Sequence, residues 1–108
     1  MKLIAGLMLC GLAAAAGSPA AAAPSFNCKY ARLSAEKALC SNRTLQRYDR
    51  QMARLYGFAL SNPYGYSIKK LKTGQKQWLT KRNSCGWDAA CLAEAYLLRN
   101  EWLENFGD

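Results

Sequence analysis

Residues 78–96, WLTKRNSCGWDAACLAEAY, decide the fold, because they place two cysteines across a break between two helices. If one helix ran through the stretch, Cys85 and Cys91 would lie about 9 Å apart along its axis and about 240° apart around it, which no disulfide bridges. Gly86 favours a left-handed helix end, and Asp88 is a residue type that caps a following helix. The stretch therefore predicts a helical hairpin whose corner lies between the cysteines.

The N-terminal segment has the order of a Sec-type signal peptide. Lys2 is followed by the apolar run LIAGLMLCGLAAAA and by small residues before Pro24. The run is shorter than the roughly 20 residues of a spanning helix, so we expect no transmembrane segment in the mature chain. Cys10 does not follow a small residue, which argues against lipidation. We predict a signal peptide at 1–23 and one exported domain at 24–108, located in the periplasm or outside the cell.

Four cysteines remain after the leader is removed: Cys28, Cys40, Cys85 and Cys91. An oxidising compartment makes two disulfides the default, and the spacings fit neither a zinc site nor a CxxC redox motif. Three pairings remain open from the sequence alone. Because so small a domain has a thin core, we expect the disulfides to staple it.

The charge balance and composition limit the classes of function. Without Lys2, 14 basic and 7 acidic residues leave a net charge of +7, which suits anionic partners. There is no histidine, and the acidic residues are few and scattered, so no nucleophile–base pair can be assembled. We expect that the protein is not an enzyme and has no catalytic residue, cofactor or metal site. We also expect that it binds no small-molecule substrate and no specific nucleic acid.

Apolar residues recur at three- and four-residue steps along most of the mature chain, and no strand-like alternation occurs. The pattern predicts one turn near the N-terminus, then a short helix, SAEKALC, that begins at Ser34. A second helix is capped by Ser41 or Asn42, a third by Ser67, and a fourth ends at about Asn105. The predicted fold is all-α: a small helical-hairpin domain of three to four helices with two disulfides.

Two features suit a binding surface. On the second helix, arginines recur at helical spacing, and the Asn-Pro loop that follows carries two tyrosines; these residues are Arg43, Arg47, Arg50, Arg54, Tyr64 and Tyr66. The arginines are also consistent with a solvated charged face, and the tyrosines with a loop that covers a helix end. Both alternatives stay open. Asp49 lies among the arginines and is placed to pair with one of them.

The two helices of the hairpin carry candidate core residues. Trp78 and Trp102 fall on the apolar stripes, so we predict that both are buried where the helices face one another. Arg99 lies on the same stripe, and a buried arginine needs partners. We predict that it bonds backbone carbonyls or Asp49; the alternative is that Arg82 and Arg99 form part of a recognition surface.

The motifs WLxxRxxC at 78–85 and CLxxxYxxR at 91–99 resemble the LprI-type lysozyme-inhibitor N-terminal domain, and the similarity covers nearly all of the mature chain. The residues that carry it include Asp49, Tyr56, Trp78, Leu79, Arg82, Leu92, Tyr96 and Arg99. The family pattern usually has an aspartate where this chain has Asn83. The resemblance implies local disulfides, Cys28 with Cys40 and Cys85 with Cys91, in an α-helical hairpin domain.

The resemblance also implies that the protein binds and inhibits lysozyme-like muramidases in the cell envelope. Animal lysozymes are generally basic, so a domain of net charge +7 would repel them unless an acidic patch faced the cleft. The candidate patch is Asp88, Glu94, Glu101 and Glu104. The alternative partner is an anionic envelope polymer or lipid, which would bind the basic faces at 43–54 and 69–81.

Overall fold

The computed structural model describes residues 23–62 and 67–106. A 3-10 turn at Cys28–Tyr30 precedes four helices: α1, Ser34–Cys40; α2, Arg43–Ser61; α3, Ile68–Asn83; and α4, Ala89–Glu104. The described ranges contain no strand, which confirms the all-α prediction. None of their helices combines the length and apolarity that crossing a bilayer requires.

Side-chain caps begin α2, α3 and α4, as the sequence predicts. Asn42, Ser67 and Asp88 each accept a hydrogen bond from a backbone N–H two or three residues further on, at 3.1, 3.2 and 3.1 Å. These bonds satisfy donors that have no partner within the helix. Asn42, rather than Ser41, is therefore the residue that begins α2.

The corner between α3 and α4 has the predicted geometry. Gly86 has a φ of +59°, the left-handed conformation that favours glycine. Cys85 and Cys91 on either side of it form a disulfide with a Cα–Cα distance of 5.6 Å. A second disulfide joins Cys28 to Cys40 at 5.8 Å, so the local pairing is confirmed. One bond fixes the hairpin, and the other ties the N-terminal turn to α1.

The core forms where α4 packs on α2 and, less extensively, on α3, while α1 covers one end. The largest fully buried side chains are Leu39, Leu45, Asp49, Leu71, Leu92 and Tyr96. Trp78 is also buried, as predicted, and its indole N–H donates to the carbonyl of Ala95 at 3.0 Å. The contact between the hairpin and α2 is thus made mostly by α4 and only slightly by α3.

The prediction that Trp102 lies in the core is wrong. Its side chain is 40% exposed, because it lies at the edge of the buried stripe of α4. The guanidinium of Arg99 lies 4.5 Å from its ring centroid, on the side toward the protein. Leu103 and Phe106 are buried at this end of the helix instead.

Glu36 generates a pH-dependent prediction for α1. The backbone N–H groups of Arg32 and Leu33 donate to its carboxylate at 2.8 and 3.0 Å and hold its pKa below the usual range. A lowered folded-state pKa adds stability above the unfolded pKa of about 4.3, and that stability is lost as pH falls through the folded value. We expect Glu36→Ala to cost about 0.3–1 kcal/mol at pH 7, the range for an exposed negative charge in the first turn of a helix.

Thermal unfolding at pH 7 and pH 2.5 measures this effect. The deficit of Glu36→Ala should be a few degrees at pH 7 and should shrink at the lower pH. Glu104→Ala removes an exposed glutamate from the other end of the molecule and should not reproduce it. A deficit that is equal at both pH values would contradict the role of the ionised carboxylate.

Candidate binding surface

Buried hydrogen bonds connect Asp49, Arg82 and Tyr96, three of the residues that carry the resemblance to the LprI-type domain. The hydroxyl of Tyr96 donates to Asp49 Oδ1 at 2.7 Å and accepts from Arg82 Nη1 at 3.1 Å. The backbone N–H of Ser25 donates to Asp49 Oδ2 at 2.6 Å. Arg82 Nε and Nη2 both donate to Asn83 Oδ1, at 3.0 and 2.7 Å. These hydrogen bonds join the N-terminal segment, α2, α3 and α4.

This network corrects the prediction for Asp49, which is 0% exposed. Its bonds go to Tyr96 and Ser25 rather than to the arginines of its own helix or to Arg99. Burial, and then the charge of Asp49, raises the pKa of Tyr96 far above its usual range. The phenol therefore keeps its proton and remains a donor to the carboxylate. The residues act structurally, by fixing the hairpin against α2.

Arg99 has different partners from those predicted. Its Nε donates to Gln75 Oε1 at 3.1 Å, and its guanidinium lies over the Trp102 ring. The side chain is 8% exposed, and Nη2 has no hydrogen-bond partner within the described part of the chain. Burial lowers its pKa. Arg99 lies one helical turn beyond Tyr96. Because Tyr96 already donates to Asp49, Arg99 bonds to Gln75 of α3 instead.

The side of α4 that points away from the core is partly apolar and acidic. We call Glu94, Leu97, Leu98 and Glu101 the α4 outer face. All four are exposed, and Leu97 and Leu98 keep 50% and 53% of their surface accessible. Successive helical turns place these side chains together, opposite Leu92 and Tyr96. α4 thus carries apolar residues on its inner and its outer side, although only the inner side packs against other helices.

Charge is segregated between the helices. Of the acidic residues in the described ranges, Asp49 is buried and Glu36 caps α1. The exposed ones all belong to α4 or its cap: Asp88, Glu94, Glu101 and Glu104. The one basic residue of α4, Arg99, is buried. Exposed basic side chains lie on α2 and α3, and one of them, Lys81, lines a pocket together with Glu94 and Leu98. The four predicted acidic residues therefore belong to one helix and its cap, with a lysine of α3 beside Glu94.

The predicted arginine face of α2 is present in part. Arg43, Arg47 and Arg54 are exposed, whereas Arg50 is half-buried and donates to the carbonyl of Ala23. Tyr64 and Tyr66, the other predicted binding residues, lie outside the described residues. The remaining motif residues pack in or against the core: Tyr56, Leu79 and Leu92.

Three buried amides were not predicted as structural residues. Gln46 donates to the carbonyl of Leu39 at 3.0 Å, and Asn100 donates to that of Tyr48 at 3.2 Å. Gln75 accepts from Arg99, as described above. Gln75 lies on the apolar stripe of α3, which is the one sequence signal that points to it. Gln46 and Asn100 lie beside the apolar stripes of α2 and α4 rather than on them, so helical periodicity does not predict their burial.

Comparisons of this chain with protein-family models, with curated proteins and with solved structures find no match. The resemblance to the LprI-type domain therefore stays a prediction. In the described residues, no group of three or more histidine, cysteine, aspartate or glutamate side chains is placed to hold a metal ion.

The buried network predicts the effect of Tyr96→Phe. The substitution removes the hydroxyl that donates to Asp49 and accepts from Arg82, which leaves a buried carboxylate oxygen without its donor. Hydrogen bonds to charged groups contribute about 1.5–3 kcal/mol, so we expect a loss of that size in the free energy of unfolding. Chemical denaturation measures it. Tyr30→Phe makes the same change at an exposed position and should have almost no effect.

Proposed function

We propose that this domain is an exported inhibitor that binds a basic, lysozyme-like muramidase through the α4 outer face. The observation that carries the proposal is the presence of exposed leucines between glutamates on α4, within whose bounds, Ala89–Glu104, no basic residue is exposed. The resemblance of the sequence motifs supports the same class of partner. The disulfide-linked hairpin supports a rigid presentation of that face.

The apolar part of the face supplies affinity. Full burial of a leucine side chain contributes about 1.5–3 kcal/mol, so covering the exposed halves of Leu97 and Leu98 contributes about 1 kcal/mol each. Binding centres are typically apolar groups surrounded by polar ones. Glu94 and Glu101 lie on the same face as the leucines and complete that arrangement.

The acidic part of the face selects the partner. A domain with a net charge of +7 repels a basic protein at long range, so close approach requires a local region of opposite sign. The carboxylates of α4 provide it and favour one orientation of the encounter, with α4 toward the partner. A muramidase must take its polymer into a cleft between two carboxyl groups, so a protein that covers the cleft inhibits without any chemistry of its own.

The test measures binding to, and inhibition of, a purified basic animal-type lysozyme by the mature, oxidised domain. We expect Glu94→Lys with Glu101→Lys to weaken binding at least tenfold and to abolish inhibition, because opposite charges become like charges. Arg43→Glu with Arg47→Glu reverses two charges on α2 and should leave binding unchanged or slightly tighter. All of these positions are exposed, so the variants should melt near the wild-type temperature.

The alternative partner, an anionic envelope polymer or lipid, predicts the opposite pattern. Binding to anionic vesicles would be lost in the α2 variant, retained in the α4 variant, and would collapse between low and moderate ionic strength. That pattern, together with no lysozyme binding by the wild type at micromolar concentration, contradicts the proposed function.

A further inference from the structure

A groove opens between α3 and α4, next to Trp102. Its volume is about 680 Å³, and its walls include Trp78 and Trp102 together with lysines of α3. Lys69 and Lys81, two of these lysines, are exposed. The side chain of Arg99 also lines the groove although it is buried. The groove therefore combines aromatic walls with four basic side chains, those of Lys69, Lys70, Lys81 and Arg99.

Among residues 23–62 and 67–106, Arg99 has no acidic partner of the kind that a buried guanidinium ordinarily has. Burial lowers its pKa, and the described group that opposes this shift is the phenol of Tyr56 rather than a carboxylate. Gln75 satisfies Nε, and Nη2 is left without a hydrogen bond. A guanidinium presents paired donors that match a carboxylate or a phosphate. The missing counter-charge is therefore best supplied by a ligand.

Gly74 lies opposite this guanidinium on α3. A Cβ atom at position 74 would lie 3.8 Å from both Nη1 and Nη2 of Arg99, in ordinary contact with them. Glycine weakens a helix relative to alanine, so local stability does not explain its presence in the middle of α3. Its effect is to leave room beside the Nη atoms. Nη2 is covered in this structure, so a ligand would reach it only after a small movement of the guanidinium into that room.

We propose that the groove between α3 and α4 binds a phosphate monoester, with the Arg99 guanidinium as its anchor. Three lysines line the groove with this arginine and supply more charge than a single carboxylate requires, which favours a dianionic phosphate. Trp78 and Trp102 provide apolar walls for the group that carries it. The proposal does not depend on muramidase binding, since Arg99, Gly74 and the lysines are not part of the α4 outer face.

The probe is phenyl phosphate, titrated into the mature oxidised domain and followed by NMR shifts of the Gly74 and Trp102 amides and by calorimetry. We expect saturable binding that Gly74→Ala weakens at least fivefold while it raises the melting temperature, because alanine favours the helix and covers the guanidinium. Arg99→Lys should weaken binding similarly, since lysine lacks the planar fork. Gly74→Ala keeps the test independent of folding losses.

A matched pair of double variants separates the groove from general charge. Lys69→Gln with Lys81→Gln removes two charges that line the groove, and Lys72→Gln with Lys76→Gln removes two exposed charges of α3 that do not. Only the first pair should weaken binding. Equal losses in both pairs, unchanged binding by Gly74→Ala, or no saturable binding by the wild type would overturn the proposal.

Two further ligands identify the source of the phosphate. Inorganic phosphate that competes with phenyl phosphate indicates that the phosphate group alone is recognised. Vesicles containing phosphatidic acid that bind and are displaced by phenyl phosphate indicate a lipid headgroup in the same groove. Vesicle binding that phenyl phosphate does not displace, in the absence of soluble binding, would show bulk attraction and overturn the proposal.

Discussion

The buried carboxylate of Asp49 constrains the structure more than any other group. A charge without solvent access must receive hydrogen bonds and an opposite charge nearby. Ser25 and Tyr96 supply the bonds, and Arg82 supplies the positive charge through the tyrosine hydroxyl. The partners come from separate parts of the chain, so they meet only when the hairpin packs on α2. The corner at Gly86 and its disulfide set the relative positions of Arg82 and Tyr96.

The same constraint determines what α4 offers to other molecules. Tyr96 donates to the Asp49 carboxylate, so Arg99, one helical turn further along α4, contacts the neutral side chain of Gln75 and the ring of Trp102. Because the inward side of α4 is committed to α2 and α3, its glutamates and two leucines point outward. A basic domain thus carries one acidic, apolar face and one buried arginine, Arg99, that no carboxylate of the described residues pairs with. The two proposed binding sites follow from a single packing arrangement.

The sequence predicts the features of this fold that depend on neighbouring residues. The caps at Ser67 and Asp88 and the corner at Gly86 follow from local backbone chemistry, and the structure confirms them. For α2 the sequence leaves Ser41 and Asn42 as alternatives, and the structure selects Asn42. The disulfide pairing came from the family resemblance and is also confirmed. These features require no knowledge of how the helices pack.

Features that depend on packing were predicted less well. Helical periodicity places Trp102 on a stripe but does not say where the stripe ends, so its exposure was missed. Opposite charge is the signal that a sequence shows, so it predicts an arginine as the partner of Asp49. In the structure, the hydroxyl of Tyr96 instead connects Asp49 to Arg82. Charge segregation onto α4 required knowledge that Asp49 and Arg99 are buried.

A double-mutant cycle on Asp49→Asn and Arg82→Gln tests most directly whether one buried network holds the hairpin to α2. The free energy of unfolding is measured by chemical denaturation for the wild type, both single variants and the double variant. If the two residues act as a unit through Tyr96, each single variant leaves the other charge uncompensated, and the coupling energy should be about 1 kcal/mol or more. Additivity within about 0.3–0.5 kcal/mol would contradict the account.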